Sequence, residues 1–162
     1  MLAPYQAKYP APFAVLGIRV VGNILIGIDY LPKGAAPLAP LDRLAERVCR
    51  QVERYLDDPD FRFDLPFEPG GTPFQRSVWQ TICTIPRGST LSYRDIAGKL
   101  GSAPRPVGSA CGANRIPLVI PCHRVVGRNG LGGFMHARAG FPLDIKRWLL
   151  KHEGAGALVG NE

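Results

Sequence analysis

The segment EPGGTP, residues 68–73, interrupts the chain with two prolines and two glycines. Glycine and proline at this density break helices and strands alike, so we expect no regular element to continue across it. The 162 residues are 46% hydrophobic, which is enough for a core on either side of the break. We therefore predict two domains, residues 1–70 and 71–162.

The first half combines strand and helix patterns. Residues 13–30 form two apolar, β-branched runs on either side of a Gly-Asn pair, which predicts a β-hairpin. From Leu41 to Tyr55, apolar residues recur at three- and four-residue steps, which predicts an amphipathic helix with Leu41 on its buried face. Residues 61–67, FRFDLPF, alternate in polarity as a strand does.

Helix start and stop signals dominate the second half. Thr72 and Gln75 have the spacing of a capping box. Ser92 opens the helical segment YRDIAGKL, which a glycine closes. Residues 104–114, PRPVGSACGAN, begin with prolines that only a first helical turn tolerates. These two short helices, joined by a turn containing glycine, predict a helix-turn-helix, and residues 143–154 predict a final amphipathic helix.

The helix predicted over residues 104–114 is rich in small residues. Glycine within a helix costs about 1 kcal/mol relative to alanine, so this composition does not stabilise the helix by itself. Close approach of the helix to another surface explains the pattern. That surface is either DNA or the neighbouring helix.

Positive charge is concentrated in the second half. Residues 1–73 carry eight Lys and Arg against nine Asp and Glu, whereas residues 74–153 carry twelve against three. Such a surface favours a polyanion, most often nucleic acid, through phosphate contacts. The alternative is a surface that only keeps the protein in solution. No apolar run approaches the length of a membrane span, so we predict a cytoplasmic protein without membrane contact.

Cys122 lies in the sequence PCHRV, between a proline and a histidine. The four cysteines, at 49, 83, 111 and 122, include no C-x-x-C pair, which favours reduced thiols. A free thiol has a pKa of about 8.5, so a nucleophilic cysteine needs a base or positive neighbours, and His123 and Arg124 offer both. From chemistry alone, a nucleophile, a buried packing cysteine and a metal ligand all remain open.

The stretch RPVGSACGANRIPLVIPCHRVVGRNGLGG, from Arg105 to Gly133, resembles the active-site region of the O6-alkylguanine-DNA alkyltransferases, also called methylated-DNA–protein-cysteine methyltransferases. The similarity includes the PCHRV signature, the asparagine eight residues before the cysteine and the arginine that opens the recognition helix. It continues upstream through TPFQRSVWQTICTIPRGSTLSYRDIAGKLG and downstream through KRWLLKHEG, and so covers residues 72–154.

The resemblance implies an α+β fold. A small N-terminal ribonuclease-H-like domain of sheet and helix is expected over residues 1–70, followed by a mainly helical, winged-helix-like domain with a helix-turn-helix over residues 71–162. It also implies direct reversal of DNA damage. The alkyl group of O6-alkylguanine in double-stranded DNA is transferred irreversibly to Cys122, in a single turnover, after the base has been flipped through the minor groove. By the same resemblance the protein is a monomer without a cofactor.

The resemblance assigns roles to individual residues. Glu153, His123 and a bridging water withdraw the thiol proton, Asn114 braces the active-site turn, and Tyr93 donates a proton to the departing guanine. The residues expected to bind DNA are Arg105, which replaces the extruded base, together with Ser92, Arg94, Ser109, Ala110, Gly112, Ala113 and Arg115. The residues expected to form the guanine pocket are Val125, Phe134, Met135 and Lys146.

Two features depart from the family pattern. The loop over residues 135–144, MHARAGFPLD, is longer than usual, and this loop is expected to form the lid of the pocket. The ligand types of the zinc site known in some members are missing from the N-terminal half, so we predict no metal. Two other functions stay open as alternatives, a DNA-binding regulator or damage sensor without chemistry and a Cys-His hydrolase that turns over repeatedly.

Overall fold

The computed structural model describes residues 4–127, 130–133 and 141–155. The chain forms two compact units, Met1–Pro69 and Gly70–Glu162. Within the described residues, the strands are β1 (Ala7–Pro10), β2 (Val15–Val21), β3 (Ile24–Leu31), β4 (Leu91–Ser92) and β5 (Val125–Val126), and the helices are α1 (Arg43–Asp57), α2 (Pro73–Ile82), α3 (Tyr93–Leu100), α4 (Pro104–Gly112) and α5 (Phe141–His152), with a 3₁₀ turn at Cys122–Arg124.

The first unit is a three-stranded antiparallel sheet in the order β1-β2-β3, with α1 packed on it. The predicted hairpin is confirmed. Its two-residue turn places Val21 opposite Ile24 and holds Gly22 at a φ of 59°, a conformation that glycine adopts without steric cost. The strand β1, which pairs with β2, was not predicted.

The start of α1 differs from the prediction. Asp42 is the N-cap, and its side chain accepts a hydrogen bond from the backbone N–H of Ala45 at 2.7 Å. Leu41 therefore precedes the helix and is 64% exposed, so its placement on the buried face was wrong. The buried face of α1 is formed by Leu44, Ala45, Val48, Val52 and Tyr55.

The strand predicted over residues 61–67 is also wrong, because this segment has no strand beyond an isolated bridge between Leu25 and Phe67. The backbone of Asp64 is bonded instead to the side chain of Gln51 on α1, at 2.8 Å through its N–H and 2.9 Å through its carbonyl. The Phe63 ring packs against Tyr55, with ring centroids 5.4 Å apart. The alternating pattern thus comes from packing on a helix and not from a sheet.

The second unit is mainly helical, which confirms the predicted α+β class. The capping box of Thr72 and Gln75 opens α2, and a second box at Ser92 opens α3. Gly101 closes α3 in the left-handed conformation, and α4 packs against both α2 and α3 as a helix-turn-helix requires. No helix in the described ranges combines the length and apolar character that crossing a membrane requires.

Candidate active site

A short parallel pairing places the reactive segment beside α3. The strand β4 runs directly into α3, and β5 directly follows the Cys122–Arg124 turn. Leu91 pairs with Val125 and Ser92 with Val126. The sequence around Cys122 is therefore held at the N-terminal end of the first helix of the helix-turn-helix.

The approach to Cys122 is a tight turn with one strained residue. The N–H of Ile120 donates to the carbonyl of Ile116 at 3.0 Å, and between them Leu118 has a φ of 74°. A left-handed conformation costs a non-glycine residue about 1–2 kcal/mol. Burying a leucine side chain stabilises by about 1.5–3 kcal/mol, and Leu118 is only 3% exposed, so burial offsets the strain.

Asn114 joins this turn to the end of α4. Its side-chain N–H group donates to the carbonyl of Ile120 at 2.9 Å and to the Sγ atom of Cys122 at 3.0 Å. Its side-chain oxygen accepts from the N–H of Ile116 at 2.9 Å. One amide therefore bonds to both ends of the turn and contacts the sulfur.

His123 and Glu153, thirty positions apart, meet in the interior. Nε2 of His123 lies 2.8 Å from Oε2 of Glu153, and both side chains are buried. A carboxylate can only accept, so Nε2 carries the proton and Nδ1 holds the lone pair. Nδ1 is buried and has no hydrogen-bond partner in the described part of the chain. The imidazole is thus oriented to accept a proton at Nδ1.

Arg124 neutralises Glu153, a role that the sequence analysis did not assign. Its Nε donates to Oε1 of Glu153 at 2.8 Å and one terminal nitrogen donates to Oε2 at 3.1 Å, while the other donates to the carbonyl of Ile85 at 2.7 Å. Arg87 also donates to the backbone carbonyl of Glu153, at 3.1 Å. The sequence feature that could have indicated this role is the scarcity of acids in the second half, because a buried acid in a basic domain needs a cationic partner.

The pKa shifts of this cluster follow from burial and charge. Burial by itself would raise the pKa of Glu153, but the contacts with His123 and Arg124 outweigh it and hold the pKa well below its ordinary range. Burial, together with the positive charges of Arg124 and Lys146, lowers the pKa of His123 although Glu153 opposes the shift. At neutral pH, Glu153 is therefore an anion and His123 a neutral base.

Cys122 rests as a neutral thiol. Cys122 is 4% exposed. A side-chain hydrogen bond with Cys111 and burial raise the pKa of Cys122 well above its ordinary value, and the contact with Asn114 only partly opposes them. Attack by this sulfur therefore requires a base that removes its proton. Cys111 also belongs to this cluster, and the sequence pattern assigned no role to this residue.

Lys146 fastens the loop that follows β5. Its buried Nζ donates to three backbone carbonyls, those of Val125 at 2.7 Å, Leu131 at 2.6 Å and Gly133 at 2.7 Å. The hydroxyl of Tyr93 donates to the Gly133 carbonyl as well, at 3.1 Å. The structure thus brings together three residues with predicted roles, Tyr93, Val125 and Lys146.

Gly132 permits this arrangement. It has a φ of 74°, and an added Cβ would lie 2.9 Å from the Tyr93 ring and 2.8 Å from the backbone nitrogen of Gly127. A side chain at this position would displace the tyrosine or the loop. Phe134 and Met135, predicted for the same pocket, lie outside the described residues, as does most of the 135–144 loop.

The residues predicted to bind DNA divide into three groups. Arg94, Arg105, Ser109 and Arg115 are exposed, whereas Ser92, Gly112 and Ala113 are partly exposed. Ser92 also uses its hydroxyl to cap α3, accepting from the N–H of Asp95 at 2.9 Å. Ala110 is only 1% exposed, and its carbonyl accepts from Nε1 of Trp79 at 2.8 Å. Ala110 therefore packs α4 against α2, and its placement on the DNA-binding surface was wrong.

The chain is similar to proteins of one family by sequence and by structure. Residues 73–155 match the family model described as 6-O-methylguanine DNA methyltransferase, DNA binding domain. A methylated-DNA–protein-cysteine methyltransferase of Candida albicans is 41% identical over 155 residues, which cover 89% of this chain and 84% of that protein. Regulatory protein ada of Salmonella typhimurium is 43% identical over 118 residues, and this alignment covers 70% of this chain but only 32% of that protein.

A solved structure extends the similarity to both units. Mycobacterium tuberculosis OGT, crystallised in complex with DNA, superposes with a TM-score of 0.75 at 32% sequence identity and covers 92% of each chain. The family model alone matches more than half of the 162 residues. The chain therefore belongs to the 6-O-methylguanine DNA methyltransferase family.

Proposed function

We propose that this protein reverses alkylation damage by moving the alkyl group of O6-alkylguanine in double-stranded DNA onto its own Cys122. The Cys122 sulfur attacks the alkyl carbon, a carbon–sulfur bond forms, and the carbon–oxygen bond to O6 breaks. The observation that carries the proposal is the cluster of a buried thiol, an amide donor 3.0 Å from its sulfur, and a neutral imidazole held by a buried carboxylate. A thioether does not hydrolyse under mild conditions, so each molecule acts once.

The proton path completes the reaction. A water bridges the Cys122 thiol and Nδ1 of His123, and the imidazole takes the thiol proton while Glu153 stabilises the resulting imidazolium. The pair of electrons from the broken carbon–oxygen bond passes into the guanine ring. Tyr93 donates its phenolic proton to the guanine and regains one afterwards. The product is unmodified guanine, and the thiol proton replaces the lost alkyl group.

DNA is held by the helix-turn-helix of α3 and α4. Exposed arginines, among them Arg94 and Arg115, contact phosphates, and the small residues of α4 allow the helix to approach the minor groove closely. Arg105, exposed in the first turn of α4, fills the space left by the flipped base. Mycobacterium tuberculosis OGT, which was crystallised in complex with DNA, supports the proposal that this chain binds DNA.

The flipped guanine is read by backbone carbonyls of the Cys122 turn. We assign its amino group to the carbonyls of Cys122 and Val125. The Val125 carbonyl already accepts from Lys146, but a carbonyl oxygen has two lone pairs and can accept a second hydrogen bond. In this scheme the Gly70–Glu162 unit carries the chemistry and DNA binding, and the Met1–Pro69 unit supports it.

The test is an intact-protein mass measurement after incubation with a duplex that carries one O6-methylguanine. We expect a gain of one methylene unit, located at Cys122 by peptide mapping, with a limit of one per molecule in excess DNA. Cys122→Ser should show no gain while binding the duplex, and Cys49→Ser, a cysteine of the other unit, should behave like the unaltered protein.

Each alternative predicts a different result in the same measurement. A damage sensor binds the duplex and gains no mass. A Cys-His hydrolase shows repeated turnover of a small ester without a lasting adduct. Either outcome would contradict the alkyl-transfer proposal.

A further inference from the structure

A second thiol lies beside Cys122 and is unused in the alkyl transfer. The side chain of Cys111 lies close enough to Cys122 to raise the pKa of its thiol. Asn114 contacts both residues. The N–H of Asn114 donates to the backbone carbonyl of Cys111 at 3.2 Å, and the side chain of the same Asn114 contacts the Cys122 sulfur at 3.0 Å. Cys111 lies in the last turn of α4, and Asn114 follows the end of that helix.

The position of Cys111 is fixed by its helix. The preceding residue, Ala110, is buried and its carbonyl is held by the indole N–H of Trp79. This contact limits rotation or sliding of α4 at the level of the two thiols. Both cysteines are free in the structure.

The two thiols differ in exposure. Cys111 is partly exposed, whereas Cys122 is buried. A small hydroperoxide therefore meets the Cys111 sulfur first, because oxidation of thiols depends on access. Cys122, in contrast, has a base at hand in His123. The pair thus combines an accessible sulfur with a shielded nucleophile.

We infer that Cys111 and Cys122 form a reversible disulfide under peroxide, which blocks alkyl acceptance and shields the reactive sulfur from irreversible oxidation. A hydroperoxide oxidises the Cys111 thiol to a sulfenic acid and is itself reduced to the alcohol or to water. The Cys122 sulfur then attacks the Cys111 sulfur, its proton passes through His123 to the departing hydroxyl, and one water leaves. The block of activity rests on the proposed alkyl transfer, whereas the disulfide itself does not.

Cys83 is the competing partner. It influences Cys122 electrostatically but is not among its hydrogen-bond partners, and it lies at the exposed C-terminal end of α2. Cys49 lies in the Met1–Pro69 unit. These two cysteines provide matched controls on the same chain.

The experiment treats the full reduced chain with hydrogen peroxide, caps free thiols with N-ethylmaleimide and maps peptides without reductant. We expect a Cys111–Cys122 cross-linked peptide, the loss of two hydrogen atoms in the intact mass, and full release by dithiothreitol. Cys83→Ser and Cys49→Ser should still form it. A Cys83–Cys122 peptide, or Cys122 sulfinic acid without a cross-link, would overturn the inference.

Activity gives a second and separate measurement. Transfer from O6-methylguanine duplex should be lost after peroxide and regained after dithiothreitol in the unaltered protein. For Cys111→Ser, each rate is compared with the rate of the same variant before oxidation. Activity that this variant loses to peroxide should not return after dithiothreitol, and its return would count against Cys111. A chain that forms the cross-link but never accepts methyl would refute the proposed function and leave the disulfide standing.

Discussion

Arg124 supplies the sharpest test of the site, because it neutralises a fully buried carboxylate. Its guanidinium makes two hydrogen bonds to Glu153, and the Glu153 side chain is 0% exposed. Arg124→Ala removes both of these hydrogen bonds from the buried carboxylate. Breaking a buried ion pair by removing one partner costs about 3–5 kcal/mol. The total stability of a domain is about 5–15 kcal/mol, so the variant should lose a large share of it.

Urea unfolding followed by tryptophan fluorescence measures this loss. Both tryptophans, Trp79 and Trp148, belong to the Gly70–Glu162 unit, so the signal reports on the unit that contains the site. The matched control is Arg147→Ala, which removes an exposed pair with Asp144 and should cost at most about 1 kcal/mol.

A second variant separates the buried charge from the lost packing. Arg124→Met with Glu153→Gln removes both charges, and it should recover part of the stability that Arg124→Ala loses. If Arg124→Ala cost no more than the Arg147 control, Glu153 would not depend on Arg124, and the charge arrangement described here would be wrong.

Three further predictions concern the general base His123, the buried Lys146 and the DNA contact of Arg105. The rate of methyl transfer should decline as the pH falls, with a midpoint below pH 6.5, the ordinary pKa of histidine, because burial lowers the pKa of His123. A midpoint above 6.5 in quenched reactions would refute this. Lys146→Met leaves the buried carbonyls of Val125 and Leu131 without this donor, whereas the Gly133 carbonyl keeps its hydrogen bond from Tyr93. At about 1–3 kcal/mol for each unpaired group, the variant should be destabilised by at least about 2 kcal/mol in urea unfolding. Arg105→Ala should slow transfer from duplex DNA more than transfer from free O6-methylguanine, and equal losses would contradict its role in base flipping.

The local features of the fold were predictable because their causes are local. The capping box at Thr72, the helix start at Ser92 and the glycine that closes the helix at 101 depend on residues a few positions apart, and the structure has all three. The strand prediction over residues 61–67 failed for the opposite reason. A period of two shows that alternate side chains are buried, and here the partner that buries them is α1 rather than a strand.

The site itself depends on long-range contacts that the residue pattern did not contain. Glu153 was a candidate partner of His123 because acids are scarce in the second half, but sequence spacing could not bring the two together, and the resemblance supplied the pairing. The two bonds from Arg124 to Glu153 and the neighbouring thiol of Cys111 were not expected at all. Each depends on how α4, α5 and the Cys122 turn are packed, and sequence spacing does not report that packing.

In the proposed reaction, the charges of the buried cluster explain how a neutral thiol serves as a nucleophile. At rest, Glu153 is negative and Arg124 positive, while Cys122 and His123 are neutral, so the cluster has no net charge. When the thiol proton reaches His123, the new thiolate and imidazolium also cancel. Proton transfer therefore separates charge without adding any to the interior, where an unbalanced charge is costly. Once the sulfur holds an alkyl group, it can no longer balance the imidazolium, so the cluster is left with one positive charge until that proton departs. The same residues thus favour removal of the thiol proton before transfer and its release afterwards.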